Sequence, residues 1–374
     1  MQNGFYKAAT VNLLVNCGIF GASLFIPQIA ANVGANGFQL TGIISGYNLS
    51  LFLTSWYFGR LADTRGKKYV MLFGLGISVF VCLAHIFMIN SVYTLILARL
   101  LFGAAIGIFP GALIAYAYER GSKKLGIYAS FGAAGTAFGS LIVGQVKDYT
   151  MIFMVCSVFM CAGFVLALLL PFSSEKKHVV PMFPKSVIKR AWCAYAGVLI
   201  RHSGATAIWA IFPVFLARIG CTAFEIGVLY AINTGTQAIS MFFLDRYAST
   251  KLLPFGFALS AVTFLTFTFA SDFHQMIPTQ VILGLSWATM YVGASKYINE
   301  RNEEHSTASG LLSGTTSLAN IIGPIITGLV IGNIALANAS LTTFHLVMYI
   351  ASGFAFTALI LYVTGNRKYR KVCT

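Results

Sequence analysis

The amino-acid sequence predicts an all-α membrane protein of twelve transmembrane helices in two pseudo-symmetric six-helix bundles. Three observations predict it. Apolar residues make up 57% of the 374 and charged residues only 9%, with a mean hydropathy of +0.79, more apolar surface than a water-soluble fold could bury. The apolar residues fall in runs near the roughly 20 residues a helix needs to cross a bilayer. The connectors between runs alternate between dense and sparse in Lys and Arg. Lipid offers the backbone no hydrogen bonds, so runs of this length are helices, not the shorter alternating strands of a barrel.

The first run, 8–30, is too long for a cleavable signal peptide and is interrupted by Asn12 and Asn16, so it reads as a span. The second, 37–59, leads into a strongly basic loop. The third, 69–90, has His85 as its ionisable interruption, and the fourth, 92–118, has Arg99. The fifth, 124–146, presents Gly132, Gly135, Gly139 and Gly144 as close-packing surface. The sixth, 151–171, holds Cys156 and Cys161, read as small packing residues. The seventh, 191–216, carries Arg201 and His202 near its middle. The eighth, ninth and tenth follow at 222–244, 253–271 and 276–299. The eleventh, 306–332, kinks at Gly323-Pro324, and the twelfth is 341–364.

Threading the chain through these runs puts 21 of its 25 Lys and Arg on the side of the N-terminus. Only Lys147 and Arg218 fall opposite, and Arg99 and Arg201 lie within spans. The positive-inside rule therefore predicts a multi-pass protein of the cell membrane with both termini cytoplasmic. The same rule accounts for the net charge of +15, and no basic run has the interleaved aromatics of a nucleic-acid platform. The seven cysteines show no metal-ligand spacing. No nucleophile–base pair or phosphate loop stands in or beside the spans, so neither an enzyme nor a cofactor or metal is expected.

The basic, proline-rich stretch 172–190 is read as a cytoplasmic linker between domains 1–171 and 191–374. The halves repeat one another. Pro27 and Phe38 match Pro213 and Phe224 at a spacing of 186, while Gly103 and Glu119 match Gly284 and Glu300 at 181. Parallel six-helix repeats around a midplane site are a transporter architecture.

Between the second and third spans stands Gly59-Arg60-Leu61-Ala62-Asp63-Thr64-Arg65-Gly66-Lys67-Lys68. It closely resembles the G-x-L-A-D-R-x-G-R-R signature of the major facilitator superfamily, with Thr64 in place of the usual arginine. The twelve spans and six-plus-six repeat extend the resemblance to the whole chain, and its motif set is most similar to the drug and metabolite exporter branch. The resemblance implies a conformational latch. Gly59 permits close helix approach and Gly66 a tight turn. Asp63 caps the start of the eleventh span, and Arg65, Lys67 and Lys68 pair with Glu119. It also implies a monomer.

Ionisable groups deep in a span are costly and usually functional. Arg99, in Arg99-Leu100-Leu101-Phe102-Gly103, is similar to the family's cavity-facing arginine of the fourth helix. Asn12, Asn16 and Ser23 share one face of the first span, and His202 and Trp209 the equivalent face of the seventh. These residues, with Arg201, Tyr47, Asn48, Asn233, Gln237, Tyr291 and Asn320, are the expected cavity lining. No Asp or Glu lies deep in any span, so if protons drive transport His202 is the expected carrier, and two unpaired arginines favour an anionic cargo. The expected activity is secondary transport of a small organic solute, anionic or amphiphilic, through the bilayer by alternating access. The alternatives are a proton-coupled multidrug antiporter and an organic-anion or sugar uptake symporter.

Overall fold

The computed structural model describes residues 2–120, 125–171, 185–244, 247–302 and 305–373. Among these the chain is helical throughout its length apart from connectors and one isolated antiparallel bridge, Asn36 with Ala335. The first span is α1 (Gln2–Leu24) continued by α2 (Ile26–Asn32). Then come α3 (Gly37–Arg65), α4 (Lys67–Met88), the pair α5 (Val92–Gly107) and α6 (Pro110–Arg120), α7 (Leu125–Gly144) and α8 (Tyr149–Leu168). A short α9 (Lys185–Arg190) precedes the second half. That half is α10 (Trp192–Trp209) with α11 (Phe212–Arg218), α12 (Ala223–Leu244), α13 (Ser249–Thr266), α14 (Phe273–Asn299), α15 (His305–Ile331) and α16 (Leu341–Cys373).

Among the described residues eight segments are long and apolar enough to cross a membrane, and a ninth is α10 with α11, bent by 46°. The other three predicted runs are α3, α12 and α14. They are no shorter, but they carry the polar residues Tyr47, Asn48, Asn233, Gln237 and Gln280. The exterior agrees with a lipid solvent: Phe80, Phe87, Tyr93, Phe269 and Leu329 are 69–83% exposed, a surface water would not tolerate.

Proline explains where spans break. Pro27 and Pro213, the repeat-related pair, occupy the first turns of α2 and α11, where a missing N–H costs nothing. Pro110 opens α6 in the same way. The repeat extends to packing. In the first half α1 lies against α7 and α8, α3 against α5, and α4 against α5 and α8. Every one of these recurs in the second half: α10 against α15 and α16, α12 against α14, and α13 against α14 and α16.

Two extensive contacts join the halves, α3 with α15 and α7 with α12, and they are equivalents of each other. Glycine permits both. A Cβ on Gly37 would sit 2.8 Å from Ile331 Cβ, and one on Gly227 would fall on the Ser140 carbonyl oxygen and 3.0 Å from Gly144 Cα. The hydrogen bonds described between the halves cluster at the face opposite the termini. Gly37 N donates to Gly332 O at 2.9 Å and Leu336 N to Ala35 O at 3.0 Å. Gln28 Nε2 donates to Pro213 O at 3.0 Å. Nearer the middle, Thr41 Oγ1 donates to Pro324 O at 2.9 Å and Ser45 Oγ to Ile321 O at 2.8 Å. The molecule is thus sealed on that face.

Candidate functional site

Beneath the seal a cavity of about 390 Å³ opens between the halves. Both contribute walls. Phe20, Ser23 and Pro27 come from the first span, Tyr47 and Asn48 from α3, and Arg99 from α5. His202, Thr206 and Trp209 come from α10, Tyr230 from α12, and Asn320 and Pro324 from α15. The 186-residue spacing is visible in the lining itself: Phe20 with Thr206, Ser23 with Trp209, Leu24 with Ala210 and Ile44 with Tyr230 all line it. That spacing, applied to α1 and α3, was the signal that could have found Thr206 and Tyr230, which the polar-residue search passed over.

Arg99 is 3% exposed. Its guanidinium lies 3.9 Å above the Tyr47 ring centroid, and Nη2 donates to Ser23 Oγ at 3.2 Å. Nε and Nη1 have no hydrogen-bond partner. The ring contact offsets about 0.5–2 kcal/mol of the roughly 2.5–3.5 kcal/mol that a lone cation costs mid-membrane. On the opposite wall the His202 ring lies 4.6 Å from that of Trp287, tilted by 36°, with Asn320 lining the same cavity. Its Nδ1 is buried without a partner. Trp209 and Tyr230, centroids 5.0 Å apart, and Phe20, 5.6 Å from Tyr230, form an aromatic wall spanning both halves.

Arg99, Ser23, Tyr47, Asn48, His202, Trp209 and Asn320 of the expected lining therefore come together. The other six do not. Arg201, beside His202 in sequence, points about 100° away round the helix into the second bundle, where it is 1% exposed. There Nε donates to Ser260 Oγ at 2.7 Å and Nη2 to Ser286 Oγ at 3.1 Å, with Phe264 and Trp287 rings within 5.1 and 5.5 Å. Asn12 and Asn16 hold α1 to α7: Asn12 Nδ2 donates to Tyr128 O at 3.0 Å, and Asn16 Nδ2 to Asn12 Oδ1 at 2.8 Å. Gln237 Nε2 donates to Asn233 Oδ1 at 2.5 Å, and Asn233 Nδ2 to Gln280 O at 3.4 Å, a link from α12 to α14. Tyr291 stacks on Trp287 at 5.5 Å, behind His202. Arg201, Asn12 and Asn233 place hydrogen bonds on neighbouring helices, the usual fate of such residues in a bundle, and Asn16 and Gln237 bond within their own helices.

At the basic loop, Gly66 turns the chain with φ 110° between α3 and α4, as its place in the motif requires. One expectation changes. A Cβ on Gly59 would meet nothing within 4 Å, so no close approach depends on it here. Lys68 Nζ donates to Leu168 O at 3.1 Å and Leu170 O at 2.5 Å, the carbonyl end of α8. Lys67 is buried at 6% exposure. The side chains of Asp63, Arg65 and Glu119 lie outside the described residues.

A membrane-embedded bundle with duplicated halves around a sealed cavity is a transporter architecture. The chain matches the Major Facilitator Superfamily family model over residues 8–250 and again over 194–373, and it belongs to that superfamily of transporters. Quinolone resistance protein NorA of Staphylococcus aureus (strain COL) is 23% identical over 339 residues, covering 82% of this chain and 85% of NorA. Multidrug resistance protein 1 of Bacillus subtilis (strain 168) is 24% identical over 346 residues, covering 85% and 88%. Among solved structures, a mutant of the nucleoside transporter NupG superposes with a TM-score of 0.80 at 14% identity, covering 96% of this chain and 99% of that one.

Proposed function

We propose that the chain is a secondary exporter of small organic amphiphiles, driven by alternating access in the cell membrane with both termini cytoplasmic. The observation that carries this reading is the cavity itself: walled by both halves and sealed by inter-half hydrogen bonds on the face opposite the termini. With the termini inside, that is the inward-facing state, ready to load from the cytoplasm. Domains 1–171 and 191–374 rock about the cavity, with 172–190 as the tether. The likeness to drug-resistance proteins supports export over uptake. His202, the titratable group of the wall, carries the coupling proton, and the monomer is the working unit.

Flux in proteoliposomes under an imposed pH gradient tests this. Cargo loaded at the cytoplasmic face, with a quinolone and a chemically unrelated drug as first trials, is expected to move faster when protons are supplied in exchange. Acceleration only when cargo and protons move together would make the protein a symporter and overturn export. No flux of any cargo above protein-free vesicles would remove the transport reading itself.

A further inference from the structure

We propose that the cavity selects a cargo bearing one anionic group beside an aromatic body, the anion seated on Arg99 and the rings on Phe20, Trp209 and Tyr230. The proposal rests on the transporter reading above and names its cargo class.

Three observations carry it. Arg99 is a fixed cation, 3% exposed and lining the cavity, and two of its three nitrogens, Nε and Nη1, have no hydrogen-bond partner among the described residues. Ser23 takes the third, and Tyr47 covers a face of the guanidinium. Tyr47 holds the group in place without neutralising it. A buried donor set kept unsatisfied is what a site looks like when its acceptor arrives with the ligand.

No acid waits nearby to supply that acceptor. The cavity lining contains no Asp or Glu among the described residues. Of the ten acids of the chain, Asp63, Glu119, Asp148, Glu225, Asp272 and Glu300 lie in connectors or at helix ends, and the sequence puts Glu175, Asp245, Glu303 and Glu304 between the predicted spans. The other deep arginine shows the contrast. Arg201 has Ser260 and Ser286 at hydrogen-bonding distance and points away from the cavity, so it is held by the protein and asks nothing of a cargo. Arg99's repeat-related position is Gln280, which is fully buried and off the cavity. The charge is therefore single and one-sided, and so is the anion it fits.

The rest of the wall sets the body of the cargo. Phe20, Tyr230 and Trp209 form a continuous aromatic surface with centroids 5.6 and 5.0 Å apart. A volume of about 390 Å³ lies in the range of small-molecule sites and admits a bicyclic ring with one substituent.

The purified full-length protein tests this with three probes of one shape, naphthoate, naphthamide and naphthylmethylammonium, read by quenching of tryptophan fluorescence and by thermal shift. Naphthoate is expected to bind about tenfold or more tighter than the amide, with the ammonium weakest. Arg99→Gln is expected to erase the acid-over-amide preference, and Arg99→Lys to keep it. A purely structural Arg99 would lower the melting temperature of Arg99→Gln yet leave the order of probes unchanged, which would overturn the proposal. Equal binding of acid and amide by the native protein, or no binding of naphthoate, overturns it without any variant. Flux of a neutral or cationic drug with the wrong probe order would sink the anion site and leave the transporter reading standing.

Discussion

Two arginines at similar depth meet opposite fates, and the difference sets what each substitution does. Arg201 is held by Ser260 and Ser286, which also lie 2.6 Å from one another, and Ser260 bonds the Gly256 carbonyl at 2.7 Å. Replacing a buried charge with an apolar chain of similar length is often neutral, whereas stripping its partners leaves the charge uncompensated. Arg201→Met is therefore expected to unfold at nearly the native denaturant concentration. The double variant Ser260→Ala with Ser286→Ala is expected to lose about 3–5 kcal/mol. The reverse order in detergent unfolding would show that the serines do not hold the charge. His202 makes a separate prediction. If it carries the coupling proton, His202→Gln abolishes pH-driven accumulation in proteoliposomes but leaves cargo-for-cargo exchange intact. Loss of both, or of neither, would take coupling away from it.

At the scale of helices, the α7–α12 contact depends on two glycines meeting, Gly144 and Gly227. An added Cβ on Gly227 strikes backbone at Ser140, which cannot move aside as a side-chain tip can. Overpacking of this kind costs about 1–3 kcal/mol, and it falls on the sealed state alone. Gly227→Ala is therefore expected to shift the population about tenfold or more toward opening at the face opposite the termini. The rate at which an impermeant maleimide labels Ser23→Cys from that face, in a background free of native cysteines, reads the shift. An unchanged rate in well-inserted protein would mean that the contact does not gate. The spans that frame this contact were legible in the sequence, because lipid makes hydropathy decide locally. The phase of each helix was not. Arg201 and His202 are neighbours in sequence, and only the packing of α13 and α14 behind α10 sends one inward to serines and leaves the other on the cavity. Asn12 and Asn16 likewise look like lining until α7 is placed against them. The pairing of Ser23 with Trp209 was readable because a repeat reports position in three dimensions, and single polar residues do not.

For the whole molecule, alternating access demands that the sealed face part while the bundles stay intact. Among the described residues few hydrogen bonds hold the seal: Gly37 N to Gly332 O and Leu336 N to Ala35 O at the Asn36–Ala335 pair, Gln28 on Pro213 and, nearer the middle, Thr41 on Pro324 and Ser45 on Ile321. Each contributes on the order of 1 kcal/mol, so the seal is strong enough to favour one state and weak enough for cargo binding energy to break. The bridge also gives the means to test this. Residues paired across an antiparallel bridge have Cα atoms about 4.5–5.5 Å apart, within the reach of a disulfide. Asn36→Cys with Ala335→Cys, in a background free of native cysteines, is therefore expected to cross-link on mild oxidation. Losing the Asn36 cap, which accepts from Gln39 N at 2.9 Å, costs about 1 kcal/mol, tolerable for the fold. The cross-linked protein is expected to bind cargo from the terminal face with unchanged affinity, because the cavity lies below the bond, and to transport none. A reductant restores flux. Transport that persists at full cross-linking would mean this face never opens, and a pair of bundles rocking about the cavity would no longer describe the molecule.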